Sequence, residues 1–349
     1  MGSSMQAGEA AVCGRPAPCD NDAGRRGSLL RLGALGLGAV GWPLGARAQQ
    51  TMHRIGFLWM DSRTDDMFDA FRESLREFGY VEGHNVAFVH RYGEASRERL
   101  VGQAAELVRL DMDVIVAAGT PCAVIAQQAT KKIPVVFYVV ADPVAAGLVA
   151  SLTQPGANLT GVSIPAWQQN EKRLALLMQA APRVSRVAVL WNPDDRLAAS
   201  EVEVLKGVAA RDRKVQIHPV AVRNVGEFAR AFETATQEGA GALSIVATPF
   251  IVLNLRRLAD LALKHRLPAI FWDSAFPRHG GLMAYGPGEQ DIAKRTAATV
   301  DKVLKGAPPA DLPVEQPTRH VLVINANTAR TLGLSLSKPL LAQADQVIG

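Results

Sequence analysis

The residues of this chain best suited to chemistry come in two sets. Trp59, Asp61 and Ser62 are answered by Trp191, Asn192 and Asp194, Gly119 and Thr120 by Thr248, and Asp142 by Asp273 and Ser274. The spacing is 132 positions between the tryptophans and 131 between Asp142 and Asp273. A carboxylate in a cleft can pair with an ammonium group or move a proton. A hydroxyl at a helix start, beside free N–H groups, suits a carboxylate. Indole faces stack on flat rings or on cations. The spacings that mark catalysis are missing. The sequence has no Gly-x-Ser-x-Gly elbow, no His-Glu-x-x-His helix and no paired-cysteine metal motif, and its seven histidines are scattered.

The matching residues sit in matching surroundings. Arg54-Ile-Gly-Phe-Leu-Trp59 recurs as Arg186-Val-Ala-Val-Leu-Trp191, and Lys132-Ile-Pro-Val-Val-Phe137 as Arg266-Leu-Pro-Ala-Ile-Phe271. A repeat this long is no solenoid unit and instead suits two similar lobes with a cleft between them. Short apolar runs alternate with amphipathic stretches, the pattern of parallel strands wrapped by helices. Strands are expected at 54–59, 86–90, 114–118 and 133–139, and again at 186–191, 215–220, 242–246 and 269–272. Helices are expected over 66–78, 96–109 and 121–130, then 197–211, 225–237 and 255–265. In such sheets ligands gather beyond the carboxyl ends of the strands, where the paired residues fall.

Structural alternatives stand beside these readings. Trp59 and Trp191 would equally roof the two cores. Thr120-Pro121 and Thr248-Pro249 fit a helix cap followed by a first-turn proline. Asp142, before Pro143, fits a cap, and Tyr285 fits either a cleft wall or structural packing.

Residues 1–48 read as an N-terminal extension and an export signal. Arg25-Arg26 precede the apolar stretch 27–44, and Ala46-Arg-Ala48 forms a small-x-small cleavage pattern before Gln49. The arginine pair leaves both the twin-arginine and the general secretory route open. Residues 1–24 have no periodicity and read as disordered, or as lying upstream of the true start. Gly36-Leu-Gly-Ala-Val-Gly41 spells a dinucleotide fingerprint, but inside the export core it lacks the required strand and helix. Cys13 and Cys19 precede the cleavage position, which leaves Cys122 without an internal disulfide partner. The chain carries a net charge of +5. Five arginines and three acids precede residue 49, so the remainder carries +3, spread too evenly for a nucleic-acid footprint. The expected location is the periplasm, with no cofactor and no nucleic-acid partner.

A family resemblance rests on ordered motifs from Arg54 to the end. They include Tyr80-Val-Glu-Gly83, Ala118-Gly-Thr-Pro121, Asp142-Pro-Val144, Gln154-Pro-Gly156, Ala188-Val-Leu-Trp-Asn-Pro193, Gly280-Gly-Leu-Met-Ala-Tyr-Gly-Pro287 and the proline-rich stretch 305–317. The chain resembles the ABC transporter substrate-binding proteins related to the tryptophan-binding lipoprotein group. The resemblance implies an α/β type I periplasmic binding fold, two doubly wound parallel-sheet lobes joined by a three-segment hinge. Lobe one would comprise 52–163 plus 288–316, and lobe two 164–287 plus 317–349. The implied function is a monomeric receptor that closes on a small ligand, an amino acid or aromatic compound, and delivers it to a membrane permease. A sensory module for a membrane signalling partner and an exported two-lobed enzyme using Asp142 or Asp273 are the alternatives. The loops Trp59-Met-Asp-Ser-Arg63 and Phe271-Trp-Asp-Ser274 are more aromatic than is usual for the family.

Overall fold

The computed structural model describes residues 52–61, 65–94, 96–211 and 215–349. Residues 1–48, read from the sequence as an export segment, and Ser62 lie outside them. The first sheet is built from β1 (His53–Trp59), β2 (Val86–Tyr92), β3 (Val114–Ala118), β4 (Val135–Val140) and β5 (Leu159–Ser163). Its crossovers are α1 (Asp65–Glu77), α2 (Arg97–Arg109) and α3 (Thr120–Ala129). After α4 (Asn170–Ala180) the pattern restarts with β6 (Arg186–Trp191), α5 (Arg196–Arg211), β7 (Gln216–Ala221), α6 (Phe228–Gln237) and β8 (Ala242–Ile245). It continues through α7 (Pro249–Val252), α8 (Leu255–Lys264), β9 (Ala269–Phe271), α9 (Ala275–Arg278) and β10 (Met283–Pro287). The chain ends with α10 (Glu289–Leu304), β11 (His320–Asn325), α11 (Ala326–Thr331), α12 (Lys338–Gln343) and β12 (Gln346–Ile348).

The strand order is β2-β1-β3-β4-β5 in the first sheet, and the second runs β7-β6-β8-β9-β10-β11-β12. The repeat is therefore topological, with β6 to β10 taking the ranks of β1 to β5. Both sheets reverse direction of growth at their first strand, so the crevices fall beside β1 and β3 and beside β6 and β8. Strands β1 to β5 pair in parallel, whereas β10 and β11 pair antiparallel.

Strand β1 shows why its residues are placed as they are. Ile55, Phe57 and Trp59 alternate onto the face covered by α1 and α10, and Phe57 meets Phe71 edge to face. On the other face a Cβ at Gly56 would stand 2.9 Å from Met112, which shows how closely the chain after α2 approaches. Helix α1 buries Phe71 and Leu75 and is followed by Gly79 at φ 90°, a conformation glycine adopts without strain. Each fully buried large side chain contributes about 1.5–3 kcal/mol of transfer free energy.

Helix α10 packs on α1 and on strands of the first sheet. Tyr80 donates to Asp301 at 3.1 Å, and Glu315 joins β5 through Ser163 N–H at 2.9 Å. Strands β11 and β12 extend the second sheet. The chain thus crosses between the sheets around Ile164, Pro287 and Gln316–Arg319. Leu159–Ser163, outside the strands expected from the sequence, is a full strand, with Gly161 in register with Phe137 of β4. The apolar cluster over α1 and α10 runs without a break into the one under α6 and α8, so the lobes meet.

Candidate functional site

The carboxyl ends of the strands hold most of the buried polar atoms that have no partner. Among the described residues five such side-chain atoms occur, and four of them are Tyr138 Oη, Trp191 Nε1, Thr248 Oγ1 and Trp272 Nε1. These belong to the ends of β4, β6, β8 and β9 respectively. The fifth, Gln103 Oε1, lies in α2. Buried polar groups normally find partners, so orphans at the carboxyl ends of strands in both sheets make these ends the candidate site.

Local backbone explains how Tyr138 reaches this position. Three β4 residues beyond Phe137 oppose two of β5, forming a bulge. Val139, inside it, has φ 60°, a conformation that β-branched residues rarely adopt. Such strain gathers where a side chain must be re-aimed. Tyr138 is 2% exposed. Burial first, and then the carboxylates of Glu289 and Asp273, hold its phenol well above its usual range.

Asp273 follows β9. Its Oδ1 accepts from Ala275 N–H at 2.9 Å. Part of its surface is accessible, yet protein atoms crowd the carboxyl. Burial pushes its pKa upward and Glu289 adds to the rise, against the opposing effects of Ala275 N–H, Arg278 and His279. Glu289 itself pairs with Arg278 at 3.0 Å. A desolvated carboxylate short of positive charge is suited to receive a cation.

The structure sorts the other expected residues. Trp59 is buried, donates its indole N–H to His90 Nδ1 at 3.2 Å and stacks on Phe57 at 5.3 Å, so its polar atom serves the first lobe. Asp61 is partly buried just past β1. Gly119, rather than Thr120, caps α3; at φ 84° it donates its N–H to Tyr138 O at 2.7 Å. Thr120 is partly buried in the first turn. Asp142 takes its structural reading, with Oδ1 accepting from Val144 and Ala145 N–H at 3.1 and 2.9 Å. Asn192 accepts from Asp194 N–H at 3.0 Å. Thr248 is 3% exposed and lends its carbonyl to Val252 N–H, while its hydroxyl stays unpartnered. Ser274 is buried beside Asp273. Tyr285 stacks on His320 at 5.7 Å, at the hinge.

Tyr138, Trp272 and Glu289 were not among the expected site residues. Trp272 sits inside an aromatic loop that the sequence does display. Tyr138 lies in an unbroken apolar run, Val135-Val-Phe-Tyr-Val-Val140, whose bulge has no sequence mark. A cavity of about 530 Å³ opens between Asp69 of α1, Ser274, Arg278 and the start of α10, but none of the four orphaned groups lines it. The orphans are the stronger guide, since an open groove needs no occupant and a buried unpaired group does.

One consequence can be measured directly. Tyr138→Phe removes a phenol that has no partner in the ligand-free protein, so its unliganded melting temperature should hold or rise, the gain being up to about 1 kcal/mol. The same change should shrink the melting shift that ligand produces. A clear fall in unliganded stability would show that the hydroxyl already has a partner.

Comparison with known proteins agrees with this architecture. The family model described as ABC transporter substrate binding protein matches residues 56–348. The chain belongs to that family. A curated tyrosine-binding protein of Clostridioides difficile (strain R20291) is 25% identical over 267 residues, covering 76% of this chain and 75% of the relative. The crystal structure of an ABC domain in complex with L-Trp from Streptococcus pneumonia superposes with a TM-score of 0.76 at 26% identity, covering 85% of this chain and all of that one. A ligand-free, open substrate binding protein with adhesive properties from Clostridium difficile gives 0.65 at 22% identity, covering 85% and 99%, and shares the fold. The two lobes are those of the type I periplasmic binding fold. Among the described residues no helix is long and apolar enough to cross a membrane, and no group of three or more His, Cys, Asp or Glu is placed to hold a metal ion.

Proposed function

We propose that this protein is an exported, monomeric receptor that closes on a free aromatic amino acid and passes it to an ABC permease. The observation that carries the reading is the set of orphaned groups Tyr138, Trp191, Thr248 and Trp272, which lie at strand ends of both sheets, with Asp273 next to Trp272 in the chain. Three are aromatic and offer flat apolar faces with polar edges. The indole N–H groups and the Thr248 hydroxyl suit a carboxylate, and the Asp273 carboxylate suits an ammonium. Tyr138 comes from the first lobe and the other three from the second, so one ligand touching both favours the closed form. The tyrosine-binding relative and the L-Trp-bound relative support an amino acid as cargo. The leader with Arg25-Arg26 supports delivery to the periplasm.

The test is calorimetric titration and thermal shift of the mature chain, Gln49–Gly349, with L-tryptophan, L-tyrosine and L-phenylalanine. Indole, indole-3-propionate and D-allose serve as controls. Saturable binding of an L-amino acid that is recovered unchanged supports the receptor. Tight binding of indole or the sugar alone would overturn the amino-acid assignment, and consumption of the compound would overturn the receptor.

A further inference from the structure

The hinge is built around one buried cation. Arg173 of α4 is 3% exposed. Its Nη2 donates to Ala166 O and to Asn170 Oδ1, and its Nη1 donates to Tyr285 O at 3.3 Å. Ala166 lies just past the first crossing and Tyr285 just before the second. At the third, His320 stacks on the Tyr285 ring, and its backbone registers with Pro287 in the β10–β11 pair. Asn170 in turn donates to Glu201 Oε2 at 3.1 Å, a carboxylate that is itself buried. Burial lowers the Arg173 pKa to about 10, which leaves the guanidinium charged at neutral pH.

The first-lobe side of each crossing is fixed by other contacts. Ile164 N–H donates to Val140 O at 2.8 Å, α10 begins at Glu289 and packs on α1, and Ser163 N–H donates to Glu315 O at 2.9 Å. What lies between the two sets of anchors is short. It comprises Pro165 in the first crossing, Gly288 in the second and Gln316–Arg319 in the third. A cavity of about 260 Å³ adjoins them, lined by Pro165, Ala166, Pro287, Pro317, Thr318 and His320 among others, and gives these residues room to move.

We propose that Arg173 is the positioning residue of the hinge: it holds the second-lobe ends of the crossings together, so that lobe rotation is confined to Pro165, Gly288 and Gln316–Arg319. Its influence on ligand affinity rests on the receptor reading above, whereas its influence on lobe geometry does not. A long side chain with several fixed donors can hold two carbonyls and an amide oxygen at once, which lysine, with a single ammonium, cannot do in the same geometry. With Arg173 in place, closure follows one path. Without it, the second-lobe ends part and the lobes sample a wider range of angles.

The experiment is a distance measurement between spin labels in the ligand-free full chain, at low temperature. Val101 of α2 and Val204 of α5 are exposed, one in each lobe, and can be replaced by cysteine for labelling. Cys122 is buried, and Cys13 and Cys19 are changed to serine. Arg173→Met should broaden the interlobe distance distribution about twofold, with Arg173→Lys between it and the parent. A lowered melting temperature with a distribution of unchanged width would overturn the proposal by showing a role in stability alone. If Arg173→Met fails to fold, Arg173→Lys decides, and an unbroadened distribution overturns the proposal. L-tryptophan added to the same samples should bind Arg173→Lys about tenfold more weakly than the parent. If the parent binds no L-tryptophan, the ligand assignment falls while the distance result still decides the role of Arg173.

Discussion

Asp273→Asn should weaken amino-acid binding by about 30- to 150-fold, which corresponds to about 2–3 kcal/mol for removing one member of a desolvated charge pair. The variant isolates the charge. Its side-chain amide keeps an oxygen able to accept from Ala275 N–H, so the turn into α9 is retained. Burial disfavours the Asp273 carboxylate in the empty site, so the unliganded variant should be no less stable than the parent. The sign of the pH effect follows. In the ligand-free protein Asp273 titrates above its ordinary value of 3.8. A bound ammonium favours the ionised carboxylate and lowers that pKa. Between the two values binding must expel a proton, so affinity should fall as pH falls through the raised pKa and level off above it. Titrations in buffers of different ionisation enthalpy would detect the released proton in the parent, and Asp273→Asn should release none at this position. An unchanged dissociation constant in the variant would remove Asp273 from the site.

What the sequence displayed, it displayed through the repeat. Because the apolar runs after Arg54 and Arg186 correspond, the shared strand order of the two sheets follows from the pattern, and the helices fall within a few residues of their expected ends. Several elements without a counterpart in the other half escaped. Helix α4 buries Leu174, Leu176 and Leu177 and has a readable apolar face, but it lies in the junction between the copies, and α11, α12 and β12 lie beyond them. Thr248 and Asp273 were readable as candidates because strand order puts them at strand ends. Whether an end residue faces the ligand or its own turn depends on local hydrogen bonds. Asp142 and Asp273 look alike in the sequence, yet the Asp142 carboxyl caps two backbone N–H groups, whereas Asp273 is crowded by protein with one. Tyr138 was illegible as an orphaned group because the local backbone depends on a positive φ at Val139, which no residue pattern announces.

Gly161→Ala should be among the most destabilising single-methyl changes in this protein, at about 3 kcal/mol or more, because the new carbon meets backbone rather than a movable side chain. An ideal Cβ at Gly161 would stand 2.1 Å from Phe137 O and 2.6 Å from Phe137 N. Its φ of 151° adds a conformation that L side chains rarely adopt. The second lobe repeats the device, since a Cβ at Gly286 of β10 would stand 2.1 Å from Trp272 O. In each lobe a glycine on the fifth strand lets the end of the fourth come close, and that end carries an orphaned ring, Tyr138 or Trp272. Relieving the clash at Gly161 means moving β5 away from the Val139 bulge and loosening the Glu315 bridge, so ligand binding should suffer along with stability. For a body of this size the melting temperature should fall by roughly 5 °C or more. Gly102 of α2 provides the opposite case, because nothing lies within 4 Å of a Cβ placed there. Gly102→Ala should stabilise by about 0.5–1 kcal/mol through helix propensity. The same chemical change is thus expected to act in opposite directions at the two positions. A Gly161→Ala protein that melts with the parent would mean that β4 and β5 do not approach as closely as the site requires.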